Sequence, residues 1–389
     1  MTWPTKSLGD VVTFKGGGTP SRDNPAYWNG PIPWATVKDL NSGYVLRSAK
    51  ESITAEGLKR SASNLIPPGS VVIPTRMALG KAVITEVDIA INQDLKAVLP
   101  NAEIDPRFLM WFFVANGSKI EAMGKGATVK GVTLDQLGKL PFPLPPLPEQ
   151  RRIAAILDKA DTLRAKRREA IDKLEQLLQS VFVDMFGDPV TNPKEWPMYK
   201  FGDVTKSRLG KMLDKRTSQG PYMKAYLANA NVQWGRFDLN SLRKMNFDPE
   251  DQLEFSLKSG DLLICEGGEP GRCAIWKEER TDCYYQKALH RVRCDPGYCV
   301  PEYLQRLFWF LSMSSAFDSS ITTATIAHLP GIKLKALRVP MPPVSLQKSF
   351  AEILDSVGKI AERSTSSHRA VESLFLSLQK QAFEGGIPS

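Results

Sequence analysis

The stretch Leu144-Pro145-Pro146-Leu147-Pro148-Glu149-Gln150-Arg151-Arg152-Ile153-Ala154 decides the organisation of this 389-residue chain. Its prolines, continuing those at Pro141 and Pro143, block extension of any preceding element. From Glu149 to Phe186 there is then neither glycine nor proline, so the spacing predicts one long helix. The same design returns at Pro340-Met341-Pro342-Pro343-Val344-Ser345-Leu346-Gln347, and a second helix is expected from Ser345 to Phe383, interrupted only by Gly358. At 1.5 Å per residue each would extend roughly 50–60 Å.

The two helices align at an offset of 197 residues, and their apolar positions coincide. Ile153, Ile156, Leu157, Ala160 and Leu163 match Phe350, Ile353, Leu354, Val357 and Ile360; Leu174, Leu177, Leu178 and Val181 match Val371, Leu374, Phe375 and Leu378. Steps of three and four make the stripe of a helix that packs on another helix. Both stripes weaken at one place, Arg167 and Ala170 in the first and Ser364, Ser367 and His368 in the second. Two arrangements fit this: antiparallel packing that brings the polar midpoints together, or midpoints that face solvent or a partner.

Outward from the helices the chain is written twice. Trp3-Pro4 and Leu8-Gly9-Asp10-Val11 recur as Trp196-Pro197 and Phe201-Gly202-Asp203-Val204. Pro68-Gly69-Ser70-Val71-Val72 recurs as Ser259-Gly260-Asp261-Leu262-Leu263, and Asp105-Pro106-Arg107-Phe108-Leu109 as Val300-Pro301-Glu302-Tyr303-Leu304. The offset stays between 191 and 197, which is the mark of an internal repeat. Short aliphatic runs such as the β-branched Val71-Val72-Ile73 and its counterpart Leu262-Leu263-Ile264 read as strands. Helices are expected at Pro106–Asn116 and Pro301–Met313, with proline in the first turn. The fold class is therefore α+β: β-rich domains at 1–140 and 189–339, each followed by a long-helix segment, at 141–188 and 340–389.

A net charge of +9 and 42% hydrophobic residues fit a globular protein with a polyanionic partner. The five cysteines, Cys265, Cys273, Cys283, Cys294 and Cys299, all lie in the second half without a C-x-x-C pair, so reduced thiols are expected rather than zinc or disulfides. No run approaches the roughly 20 apolar residues of a membrane span, and the opening Met1-Thr2-Trp3-Pro4 is unlike a signal peptide. A cytoplasmic location and no membrane association are expected.

A β-rich domain that ends in Leu144-Pro145-Pro146-Leu147-Pro148-Glu149-Gln150 and passes into a long helix resembles the specificity subunits of Type I restriction–modification enzymes. The second copy keeps the prolines and Gln347 but has Leu346 where the first has Glu149. The resemblance spans the whole chain. It implies two target-recognition domains, each reading one half of a bipartite site on double-stranded DNA. It implies two long helices paired as an antiparallel coiled coil that fixes the gap and docks modification (methyltransferase) subunits, two of them expected. Restriction subunits, which combine translocase and nuclease, complete such enzymes. The specificity subunit itself is implied to be non-catalytic and to need no cofactor. A recognition subunit of another multisubunit restriction enzyme, or a coiled-coil scaffold without specific DNA binding, would share parts of this layout.

Base reading calls for Arg, Lys, Asn or Gln on loops. In the first domain the candidates are Thr75, Arg76, Lys81, Asn92 and Gln93, with Lys125 and Lys130 of the glycine-rich run Gly124-Lys125-Gly126-Ala127-Thr128-Val129-Lys130-Gly131 as phosphate contacts. In the second they are Lys211, Arg216, Asn229, Asn231, Arg272, Gln286 and Lys287. Each has the alternative of a plain surface residue, and Gln93 and Gln286, which recur, have that of a bond within the fold. The sequence offers no catalytic set. Pro145-Pro146 lacks the polar and aromatic neighbours of an adenine-methyltransferase motif, and Gly16-Gly17-Gly18 has no phosphate-loop lysine behind it. Asp94-Leu95-Lys96 has a nuclease-like form, but Asp88 is only six residues earlier and Lys287 replaces Asp94 in the repeat. The three histidines, His290, His328 and His368, have no ligand spacing.

Overall fold

The computed structural model describes residues 3–41, 43–126, 129–214, 217–314 and 328–384. The chain forms two compact units, one of Met1–Glu169 with Thr365–Ser389 and one of Ala170–Ser364. Each mixes sheets and helices, and each takes in a part of both long helices, Leu147–Phe186 and Val344–Glu384.

In the first unit Val71–Pro74 is buried at every position, as befits a strand covered on both faces. It pairs antiparallel with Leu95–Pro100 on one side and Val83–Thr85 on the other. Val12–Gly16 and Val45–Leu46 complete this five-stranded sheet at its edges. A second sheet has the order Glu51–Ile53, Trp28–Ala35, Ile89–Ile91, Leu65–Ile66. Helix Pro106–Ala115 packs on the first sheet. It begins where it does because Pro106 has no N–H to lose and Asp105 caps the first turn, accepting from the N–H groups of Arg107 and Phe108 at 3.0 and 3.2 Å. Phe108, Phe112 and Phe142 form the core beneath it, with Ile153 and Leu157 from the first long helix and Phe375 from the second.

The second unit repeats the plan. Leu262–Cys265 is central to a four-stranded sheet with Leu289–Cys294, Thr205–Leu209 and Cys273–Ile275. Arg243–Asn246, Met223–Leu227 and Cys283–Tyr285 make a three-stranded sheet, and helix Pro301–Met313 covers the core.

One device joins sheet, helix and proline segment in both units. Gln150 is fully buried: its Oε1 accepts the backbone N–H of Asp105 at 2.9 Å, and its Nε2 donates to the carbonyls of Glu103 and Pro145, both at 2.9 Å. Gln347, equally buried, accepts from Val300 N–H at 3.1 Å and donates to Tyr298 and Pro342 carbonyls at 2.9 and 2.8 Å. An amide has both the acceptor and the donors that these backbone groups need, which explains why both copies keep glutamine.

The long helices run antiparallel within each unit. In the first, Arg164 Nε donates to Glu372 Oε1 at 2.8 Å while Arg167 donates to Ser367, so numbering rises along one helix as it falls along the other. The polar midpoints thus meet. In the second unit Phe182 and Phe186 both pack edge-on against Phe350, each at 5.5 Å. The apolar stripe is less even than its spacing. Ile153, Leu157, Leu178 and Phe375 are buried, and Ile156, Leu174, Leu354 and Leu378 are half-buried. Leu163, Ile353, Ile360 and Leu374 stand exposed, because two helices bury only a narrow seam and the flanks of each stripe lie outside it. Among the described residues no helix is long and apolar enough to cross a membrane.

Candidate nucleic-acid interface

In the first unit the turn after Val71–Pro74, the loop after Ile89–Ile91 and the residues Lys125, Val129 and Gly131 converge on an open groove of about 720 Å³, lined by Thr75, Arg76, Gln93, Asp94 and Lys96 among others. The chain can fold this way because Gly17 lies against the loop: a Cβ there would meet the Ile91 carbonyl oxygen at 2.1 Å. Thr75 is tied down, its N–H donating to Asp94 O at 2.8 Å and its own carbonyl accepting from Val132 N–H at 3.0 Å. The Arg76 side chain is 66% exposed, with its guanidinium 4.0 Å from Asp94 Oδ1. Lys125 exchanges two 2.9 Å backbone bonds with Gly131, which holds the glycine-rich run beside Arg76.

The other candidates of this unit are placed differently. Asn92 is buried, donating to Asp94 Oδ2 and accepting from Asp94 N–H, both at 3.2 Å, so its side chain shapes the loop. Gln93 does line the groove, but its Oε1 is engaged, accepting from Thr19 Oγ1 at 2.5 Å. Lys130 is exposed, and its carbonyl accepts from Met77 N–H at 3.2 Å. Lys81 donates to Asn41 Oδ1 at 2.5 Å and lines a separate cavity of about 430 Å³ with Tyr44, Arg164, His368 and Glu372. Sequence reasoning missed Lys96 and Met77. Lys96 donates to Gln93 O at 2.8 Å, and burial pushes its ammonium below the ordinary lysine range. The signal was present in Asp94-Leu95-Lys96, which read as a possible metal triplet rather than as part of a basic groove.

The second unit has an open cavity of about 540 Å³ lined by Arg208, Lys211, Asp251, Glu254 and Lys335 among others. Its charges are largely matched: Lys211 pairs with Asp251, both well covered, and Arg208 pairs with Glu254. Gln286 bridges Lys211 through the backbone, and Lys287 is exposed beside them. Asn231 is buried, accepting from Ala228 N–H and donating to Asp238 O, both at 3.0 Å. Asn229 donates to Gly267 O at 2.8 Å, and Arg272 holds Glu269 at 2.8 Å and Asn229 O at 3.0 Å. Asn229 and Arg272 thus brace the turn after Leu262–Cys265. Arg216 and the segment Thr322-Thr323-Ala324-Thr325, the counterpart of the glycine-rich run, lie outside the described residues.

The duplicated fold has relatives. The chain is 28% identical over 256 residues to the Type I restriction enzyme MjaIX specificity subunit of Methanocaldococcus jannaschii, covering 60% of this chain and 57% of that one. It is 34% identical over 184 residues to the EcoR124I/EcoR124II specificity subunit of Escherichia coli, covering 46% and 45%. The matches thus span about half the length of these two relatives. The crystal structure of a Type I restriction-modification system S subunit from M. genitalium aligns with a TM-score of 0.60 at 13% identity, over 98% of this chain and 96% of that one, a likeness of fold. The family model described as the Type I restriction modification DNA specificity domain matches twice, at residues 1–176 and 193–369. The two copies coincide with the repeat that the prolines, the paired glutamines and the central strands mark out, and the chain belongs to this specificity-domain family.

Proposed function

We propose that this protein is the DNA-recognition subunit of a Type I restriction–modification enzyme, with each unit reading one half of a bipartite site. The observation that carries the reading is the duplication with divergence. Two units share a backbone plan down to the Gln150 and Gln347 bonds, yet differ in side chains at an equivalent turn, Thr75-Arg76-Met77 in the first standing where the second has Glu266-Gly267-Gly268. Two similar readers in one chain suit two different half-sites, and such readers bind about one helical turn, ~34–36 Å, apart. The long helices, with 40 and 41 residues, have the length to set such a gap.

The same helices are the docking surface for modification subunits, two of them, with restriction subunits joining in the complete enzyme. Leu163, Leu177, Ile353, Ile360, Leu374 and Leu376 are exposed along them, an apolar provision that suits a protein partner. Methyl transfer and cleavage then belong to those partners, and this chain acts by binding alone, in the cytoplasm.

Binding of the full chain to random duplex DNA across a salt series tests the first step. A linear fall of log affinity with log salt is expected, because several phosphate contacts release counterions. Weak binding without a salt slope would instead fit a protein scaffold. Methylome sequencing of the host with and without the gene would then give the bipartite motif.

A further inference from the structure

The same turn closes the central strand pair in each unit, Thr75 to Gly80 in the first and Glu266 to Gly271 in the second. The bonds that anchor the first residue of each turn correspond. Thr75 N–H donates to Asp94 O at 2.8 Å and Thr75 O accepts from Val132 N–H at 3.0 Å; Glu266 N–H donates to Ala288 O at 2.9 Å and Glu266 O accepts from Leu329 N–H at 2.6 Å. Arg76 bridges Gly131 as Gly267 bridges His328. Gly80 and Gly271 have φ of 84° and 91°.

The units differ between these fixed points. The second has Gly267-Gly268, with Gly268 at φ 76°, where the first has Arg76-Met77, with Met77 at 55° and Ala78 at 33°. The left-handed region suits glycine and disfavours side chains. The first unit therefore holds Met77 in an unfavourable conformation, and its side chain is 48% exposed, so the strain is not offset by core packing. Strain of this kind persists where flanking bonds over-determine the backbone, and it gathers at functional surfaces.

Arg76 stands beside it at the groove. Asp94 lies 4.0 Å from its guanidinium, and that carboxylate repels a phosphate while leaving the rest of the fork to neutral acceptors. Lys96 and Lys125 line the same groove and suit phosphates as point charges. The geometry points to this turn as the base-reading element of the first unit, Arg76 taking the N7 and O6 acceptors of a guanine and Met77 covering the apolar surface next to it. The second unit, with glycines at both positions, reads its half-site from other loops. This rests on the DNA-recognition reading above.

The test selects a randomised duplex library with the full chain, wild type against Arg76→Ala, Arg76→Lys and Met77→Gly, with thermal melting of each variant as the folding control. Both Arg76 variants should lose preference for one guanine in one half-site by about tenfold or more, with the other half-site and the salt slope on random duplex unchanged. Met77→Gly should alter preference at the neighbouring position and raise the melting temperature by relieving the left-handed strain. Uniform loss on all sequences with a salt slope lower by about 1 would make Arg76 a phosphate contact and overturn the assignment, as would an intact motif in both Arg76 variants. A wild-type chain that selects no motif overturns the DNA-recognition reading itself.

Discussion

Gln150 Oε1 accepts the backbone N–H of Asp105 at 2.9 Å, a bond across 45 residues that ties the start of the first long helix to the N-cap of helix Pro106–Ala115. The same glutamine donates twice to backbone carbonyls, so one buried and two part-buried main-chain groups depend on one side chain. Replacing it with leucine of similar size leaves those groups unpaired, at about 1–3 kcal/mol for the buried one and about 0.5 kcal/mol for each part-buried one that water can reach. Gln150→Leu is expected to destabilise the chain by about 2–4 kcal/mol in denaturant unfolding, and Gln347→Leu by a similar amount. A change below about 0.5 kcal/mol, the scale of a neutral surface substitution, would contradict the structural role given to this amide.

Arg164 lies across the helix pair, bonded to Glu372 at 2.8 Å with its guanidinium 4.1 Å from the Phe375 ring centroid. A double-mutant cycle on Arg164→Ala and Glu372→Ala is expected to give a coupling of about 1 kcal/mol, at the upper end for partly exposed pairs. Additive losses would mean that the pair does not fasten the seam.

His290 occupies the position that Lys96 takes in the first unit: Lys96 pairs with Ile73 and Gly16, His290 with Ile264 and Leu209, so Ala288 rather than Lys287 stands at Asp94, and Gln286 answers to Asn92 rather than to Gln93. The histidine is buried with Nε2 3.1 Å from Leu329 O, and burial pushes its pKa below the ordinary 6.5. A lowered folded pKa means that the unfolded chain takes up the proton first. Its contribution is therefore present above about pH 6.5 and is lost as pH falls below that value towards the folded pKa. Thermal stability should fall on acidification through this window, and His290→Gln should flatten that part of the profile. An equal slope in wild type and variant would remove His290 as its source.

All five cysteines are free, and four are buried. Burial pushes the Cys265 thiol up to about 11 and the Cys283 thiol up to about 12, so both stay protonated and unreactive at neutral pH. Alkylation by iodoacetamide should be slow at these two positions in the native chain and fast after denaturation. Fast native labelling of Cys283 would contradict its placement.

Much of the fold was legible because its signals are local or repeated. The prolines before Gln150 and Gln347, the long helices free of glycine except at Gly358, and Pro106 and Pro301 each act on their own backbone, and the second copy repeats the first. The interface was less legible because its residues meet only through folding. Nothing local to Asn92 says that it turns inward to Asp94 while Lys96, four residues on, faces the groove. Lys211 reads as a free cation until Asp251, forty residues away, is found beside it. The exposure of Ile360 and Leu374 was hidden for a related reason: periodicity marks an apolar face but not how much of it a single partner helix covers.

The gap between the two half-sites tests the central claim most directly. Removing one heptad from each long helix, centred on Arg167 and Ser367, shortens each by about 10 Å and nearly preserves its rotational phase. At 3.4 Å per base pair, a library of bipartite duplexes with varied spacing should select a gap about three base pairs shorter, or binding to the paired site should be lost while each half-site preference survives. Selection of the original gap by the shortened chain would contradict the proposal that these helices set the spacing.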